Sequence, residues 1–390
     1  MKMSKKIVAV LMALAMLFSL AACAGGDNYT KDNTKYVIGV SGPLTGGAAV
    51  YGVAVKNGAQ MAVDEINAAG GLNGVLFELK ATDDQHDATK VAANYANLLE
   101  SGMQVSLGTV TTGPGKEWTK LSVEDNVFFL TPSASGDDIP KESNGFQMCF
   151  ADGNQGKVAA DFVNGANLTK IGIFYKSDDP YSNGIYTQFK ENLNKDIQTV
   201  EAVFTGEGTD FTAQINSLKE CSFIFMPIYY GPASVFMMQA KDIIAPNAVY
   251  YGCDGFDGLA GQFEDFEGGF NAIPQEVSML SHFDSAATTG AAADFIKKYT
   301  EKHGTDTLNQ FGASAYDCVY AIYNAMKAAI DAGEEIDVTI SATDLCEILK
   351  GQFTGDFSYS GVTGENITWE DNGYVSKGAV KYTLKEANAA

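Results

Sequence analysis

The stretch YVIGVSGPLTGGAAVYGVAVKNGAQMAVDEINAAGG, residues 36–71, changes its hydrophobic period once, and that change decides the fold. Residues 36–44 form a short apolar run closed by small and turn-forming residues, as in a strand buried on both faces. From residue 50 the apolar positions recur every three or four residues, which predicts an amphipathic helix ended by Gly70 and Gly71. Working outward, the same alternation continues. VLFELKATDD reads as a strand, ATKVAANYANLLESG as a helix, QVSLGTV (104–110) as a third strand and VFFLTPS as a fourth. The rhythm restarts at TKIGIFYKSDD (169–179) and runs through SFIFMPIYY (222–230) to NAVYYGCDGF (247–256). Alternating strands and helices specify a parallel sheet covered on both faces. Two such series predict an α/β protein of two doubly wound, Rossmann-like lobes.

Ahead of residue 36 stand Lys2, Lys5 and Lys6, followed by an apolar run from Ile7 to Leu20. That run is short for a bilayer span and has the size of a signal peptide, assigned to residues 1–22. It ends in Leu20-Ala21-Ala22-Cys23, the form of a lipobox, so Cys23 is expected to carry lipid. Residues 23–35 then act as a polar tether. The expected location is extracytoplasmic, anchored to the membrane through the lipid.

The charge balance restricts partners and mechanism. The chain has 26 basic and 48 acidic residues, a formal net charge of −22, and every basic residue is lysine. So much negative charge argues against nucleic acid as a partner. Without arginine, no bidentate clamp for a carboxylate is available, and backbone N–H groups, hydroxyls, helix N-termini or lysine must serve. Past Cys23 there are five cysteines, none in a C-x-x-C pair, which read as small buried hydrophobes. The glycine fingerprint of dinucleotide sites, the Walker motif and the G-x-S-x-G elbow are missing. His86, His282 and His303 lie far apart without metal-ligand spacing, and each reads as an ordinary surface or packed histidine. The run Asp83-Asp84-Gln85-His86-Asp87 reads as a solvated strand end with a helix cap. No cofactor, no metal and no catalytic residue is expected.

Open α/β sheets bind ligands beyond the carboxyl ends of their strands. Here those ends carry hydroxyls (TVTT at 109–112, TPSAS at 131–135), aromatic residues (Tyr181, Tyr229, Tyr230) and the carboxylate of Asp254. Serine and threonine in a turn ordinarily bond neighbouring backbone, and Asp-Gly is an ordinary turn, so position alone leaves both readings open.

Taken together, VIGVSGPLTGGAAVYG, GAQMAVDEINAAGGLNG, LKATDDQHD, FFLTPSAS, FYKSDDPYSNG, YYGCDGFDG and ITWEDNGYVSKG resemble a known family. They look like the substrate-binding lipoproteins of branched-chain amino acid ABC importers, which have the type I periplasmic-binding fold. The resemblance implies a non-enzymatic receptor that captures an apolar amino acid and delivers it to ABC permease subunits. It implies that Thr109, Ser133 and Ser135 take the carboxylate and part of the ammonium, and that Asp254 pairs the ammonium with Tyr229 beside it. Tyr51, Tyr181 and Phe311 would line the side-chain pocket. Discontinuous lobes are expected: 36–150 with 275–355, and 151–274 with 356–385, joined by a multi-strand hinge. The chain departs from the family at Thr109 (often Ser), Tyr51 (frequently Trp) and near Gln147 (commonly Arg). The positions of a disulfide found in some members look like His86 and Gly108. Rival readings are an extracellular sensor module, or a receptor for another small ligand such as an aromatic amino acid or an amide.

Overall fold

The computed structural model describes residues 33–140 and 144–387; the signal-peptide and Cys23 expectations lie outside them. In chain order the first series is β1 (Tyr36–Gly42), α1 (Ala49–Ala68), β2 (Phe77–Asp83), α2 (Val91–Glu100), β3 (Val105–Ser106), α3 (Thr112–Asp125), β4 (Phe129–Thr131) and β5 (Gly145–Gln147). The second is α4 (Asp152–Gly165), β6 (Lys170–Lys176), α5 (Pro180–Asn192), β7 (Gln198–Phe204), α6 (Thr212–Leu218), β8 (Phe223–Met226), α7 (Tyr230–Ala240), β9 (Val249–Gly252) and β10 (Glu276–Ser281). There follow α8 (Gly290–His303), α9 (Gln310–Asp331), α10 (Ala342–Phe353) and β11 (Val380–Lys385).

The strands form two sheets, ordered β2-β1-β3-β4-β5 and β11-β10-β9-β8-β6-β7. Every pairing is parallel except β10 with β11. The first strand of each series lies inside its sheet, with the chain winding away on either side. This creates a topological switch point, where loops diverge and leave a crevice.

Both sheets are buried on both faces, as the near-continuous apolar runs require. In the first lobe, Ala62, Val63 and Ile66 of α1 pack with Val319, Ile322 and Ala325 of α9 over β1 and β3. The opposite face is covered by Val91, Tyr95 and Leu98 of α2 and Trp118 of α3. In the second lobe α4 and α5 bury Ala159, Val163, Ile185 and Phe189 on one face. On the other, α6 and α7 bury Ile215, Leu218, Phe236 and Met237.

One expected boundary is corrected. The expected first lobe includes residues 275–281, but β10 pairs with β9 in the second sheet, Glu276 opposite Val249. The chain therefore returns to the first lobe after Ser281. A second correction concerns the chain's end, of which β11 alone joins the second sheet. Residues 359–375 pack on the first lobe: the Trp369 indole N–H donates to the Gln147 carbonyl at 2.7 Å, and the Tyr359 hydroxyl donates to Asp317 at 2.9 Å. The three crossings between lobes thus lie at 147–152, 281–290 and 375–380.

Candidate ligand-binding cleft

A narrow cavity with about 10 Å³ of free space lies between the lobes, at the carboxyl ends of both sheets. Its walls come from the loops that the switch points set apart. The first lobe contributes Tyr51 after β1, Val110, Thr111 and Thr112 after β3, and Ser133 and Ser135 after β4. The second contributes Tyr181 after β6, Tyr229 after β8, and Asp254 with Gly255 after β9; Phe311 enters from the first turn of α9.

The turn after β4 divides its hydroxyls between two tasks. Thr131 does turn work: its Oγ1 accepts the N–H groups of Ser133 (3.3 Å) and Ala134 (3.0 Å) and donates to the Thr109 carbonyl (3.1 Å). Gln147 braces the same loop, its amide donating to the carbonyls of Ala134 (3.4 Å) and Gly136 (3.2 Å). Ser133 and Ser135 are released from that task and line the cavity.

Thr109 does not line it. Strand β3 ends at Ser106, so Thr109 falls on a buried bend, its hydroxyl donating to the Thr111 carbonyl at 3.4 Å. The threonines that meet the cavity are Thr111, bonded to His86, and Thr112, the first residue of α3, whose buried Oγ1 lacks a hydrogen-bond partner among the described residues. A hydroxyl beside the positive end of a helix suits an anionic group. The signal in the sequence was the TTGP step, because proline in the first turn marks a helix start.

Asp254 stands on the opposite wall, 1% exposed. Its Oδ1 accepts the Tyr181 hydroxyl at 2.6 Å, and its backbone N–H donates to the Gln155 side chain at 2.9 Å. Oδ2 has no partner among the described residues. Burial pushes its carboxyl up to about 6, against the stabilising bonds from Tyr181 and Gln155. The Tyr181 hydroxyl also accepts the Gly255 N–H at 2.9 Å. Gly255 is required here: a Cβ would come within 2.7 Å of that hydroxyl and 2.9 Å of the Ile228 carbonyl oxygen.

The aromatic rings share one cluster. Tyr181 stacks on Tyr229 with centroids 4.5 Å apart, and Phe311 meets Tyr51 edge-on at 5.0 Å. The Tyr51 hydroxyl crosses to the second lobe and donates to the Gly255 carbonyl at 2.6 Å. With the Tyr51 and Tyr181 hydroxyls engaged by protein, their rings offer apolar surface.

His86 is a packed histidine, one of the two readings its sequence allowed. It is not a solvated strand-end residue: its Nδ1 lies 2.9 Å from Thr111 Oγ1, and its ring meets Tyr229 edge-on at 5.3 Å. Asp84 is likewise fully buried and accepts the Ser41 hydroxyl at 3.0 Å, while Asp87 does cap the following turn through the Thr89 N–H.

Comparison with known proteins places this geometry. The profile of the family described as Periplasmic binding protein matches residues 35–385. The leucine-, isoleucine-, valine-, threonine- and alanine-binding protein of Pseudomonas aeruginosa is 30% identical over 237 residues, covering 58% of this chain and 63% of that protein, less than two thirds of its length. The Leu/Ile/Val-binding protein homolog 3 of Brucella melitensis is 28% identical over 335 residues, covering 84% of this chain and 87% of that one. Among solved structures, the branched-chain amino acid transporter substrate binding protein LivJ from Streptococcus pneumoniae, in complex with isoleucine, superposes with a TM-score of 0.74. It is 26% identical, and the match covers 89% of this chain and all of that one.

Proposed function

The chain belongs to the periplasmic binding protein family, and on that premise we propose that it is the lipid-anchored, extracytoplasmic receptor of an ABC importer. Its relatives are substrate-binding transport proteins. It captures a branched-chain amino acid between its lobes and hands it to the permease. Cys23 carries the lipid.

The observation that carries this reading is the Asp254 Oδ2, deeply buried and without a partner among the described residues, facing a cavity whose other wall bears Thr112, Ser133 and Ser135. A buried carboxylate needs a cation, and the cavity lining holds no lysine or arginine. An α-ammonium supplies that cation, and the α-carboxylate then falls to the hydroxyls and the helix α3 N-terminus. This division suits a zwitterion in a chain without arginine. Tyr51, Tyr181, Tyr229 and Phe311 wall the side chain with ring faces.

Calorimetric titration of the purified mature protein with L-leucine, L-isoleucine, L-valine, L-phenylalanine and the corresponding amides tests the proposal. Binding of one or more branched-chain amino acids, with their amides much weaker, is expected. Binding of an amide or of phenylalanine alone, or of none of the set, overturns it.

A further inference from the structure

We propose that His86 is a clasp between the lobes, a positioning residue that ties the first lobe's cleft loop to the second lobe and loosens when its ring is protonated. The inference rests on the reading that the cleft closes over an amino acid.

The backbone singles this residue out. Gln85 and His86 occupy consecutive left-handed conformations, with φ of 54° and 61°. Side-chain-bearing residues enter that region at a cost, and persist there where the surroundings hold them. Here two carboxylates do so: Asp83 accepts the Gln85 N–H at 3.0 Å, and Asp84 accepts the His86 N–H at 2.9 Å. Asp84 is itself pinned by the Ser41 hydroxyl in β1. The strained pair therefore rests on the first sheet, and the strain aims the imidazole into the mouth of the cleft.

The ring then touches both lobes. Its Nδ1 meets Thr111, the residue that precedes α3 and adjoins Thr112 in the cavity wall. It also makes a T-shaped contact with Tyr229, which belongs to the second lobe and stacks on Tyr181. Thr111 moves with the first lobe and Tyr229 with the second, so both contacts coexist only when the lobes are together. The bonded chain Asp254–Tyr181, the Tyr181–Tyr229 stack and His86 connect the ammonium site to the clasp.

The charge around the ring gives the clasp a pH dependence. Asp84 and Asp87 flank it in its own loop, and Asp179, Lys176 and Glu207 face it from the second lobe. Burial of the ring outweighs the attraction of Asp179 and holds the histidine below its ordinary range, in the neutral form. In an open protein the ring regains water and an ordinary titration. Protons therefore favour the open form, and affinity falls as pH drops through the histidine range. Asp254 adds a separate loss near pH 6, so the clasp is read from the difference between variants and wild type.

Two variants separate the roles. His86→Asn keeps a side chain that tolerates left-handed backbone and an amide that reaches toward Thr111, but lacks the ring. His86→Gly relieves the strain and loses both contacts. Stopped-flow and calorimetry with L-leucine, L-isoleucine and L-valine at pH 7.5 and 5.5 give the readout. Dissociation should quicken by roughly 3–10-fold in the glycine variant and less in the asparagine variant, with association nearly unchanged. The fall in affinity between the two pH values should be about threefold smaller in both variants than in wild type. Release from His86→Gly as slow as from wild type, or an unchanged pH profile, overturns the clasp. If wild type binds none of the three amino acids, the import reading fails by itself. The clasp is then judged by small-angle scattering of the ligand-free protein at pH 7.5: a larger radius of gyration for His86→Gly supports it, and an equal radius overturns it.

Discussion

Removing the charge of Asp254 sets binding against stability. Asp254→Asn takes the counter-charge from the ammonium and should weaken amino acid binding by about 1.5–3 kcal/mol, the range for a charge-assisted hydrogen bond. The unliganded protein should respond in the other direction. The folded carboxyl titrates near 6 and the unfolded one near 3.8, so this group favours the fold at low pH and loses that contribution as pH rises through 6. Asp254→Asn should therefore raise the melting temperature at pH 7.5 and leave it nearly unchanged at pH 4, as scanning calorimetry without ligand would register. A second contrast concerns the threonines. Thr112→Val should cost about 1–3 kcal/mol in affinity with near-normal melting, whereas Thr109→Val should alter melting and spare affinity. Equal affinity losses in the two variants would refute the assignment of Thr112. That Ser133, Ser135 and Asp254 would line a cavity was legible because polar residues ended apolar runs. Thr112 was not legible, because nothing in the run to Val110 marks which of the three threonines that follow or end it meets the cavity. His86 was illegible because a lone histidine bears no mark of what approaches it in space.

Helices α1 and α9 illustrate what elements contribute beyond pattern. Both were plain from their periodicity, yet their closeness depends on Gly58, where a Cβ would collide with the Gly312 carbonyl oxygen. That oxygen is backbone and cannot step aside without moving α9, whose first turn carries Phe311 into the cleft. Gly58→Ala should destabilise the protein by about 1–3 kcal/mol, measured by urea unfolding, and should also weaken binding by displacing Phe311. Normal affinity together with the stability loss would show that the ring position is independent of the helix contact. The elements beside the turns were legible locally, through caps such as Asp179, which accepts the Ser182 N–H at 2.9 Å. Membership of β10 in a sheet was not. Its residues, EVSMLS, read as a strand but carry no mark of which sheet they join, and the partner that claims them depends on where the chain has already folded.

At the scale of the molecule, the lobes meet through a few directed bonds as well as through aromatic packing. The Tyr51 hydroxyl donates to the Gly255 carbonyl at 2.6 Å, and the Gln310 N–H donates to Asp257 at 2.9 Å. Each bond joins residues that carry or flank the cavity wall. Tyr51→Phe removes one of them and keeps the ring, so affinity should fall by about 1 kcal/mol, and by the same amount for every amino acid bound. A loss confined to one ligand would place the hydroxyl against the side chain instead. Saturation at a hundred times the dissociation constant should stabilise the wild type by about 2.7 kcal/mol. The two-lobed plan was legible because the strand–helix alternation restarts after an interval. The points of crossing were not, since no local composition marks them.

The late return of the chain bears on its synthesis. All five strands of the first sheet precede Asp152, but the helices covering one of its faces, α9 and α10, begin at Gln310 and Ala342. A growing chain has only α1 on that face of the first sheet while the whole parallel core of the second lobe is being made. Its first lobe therefore completes by contacts spanning most of the polypeptide, the kind that form slowly.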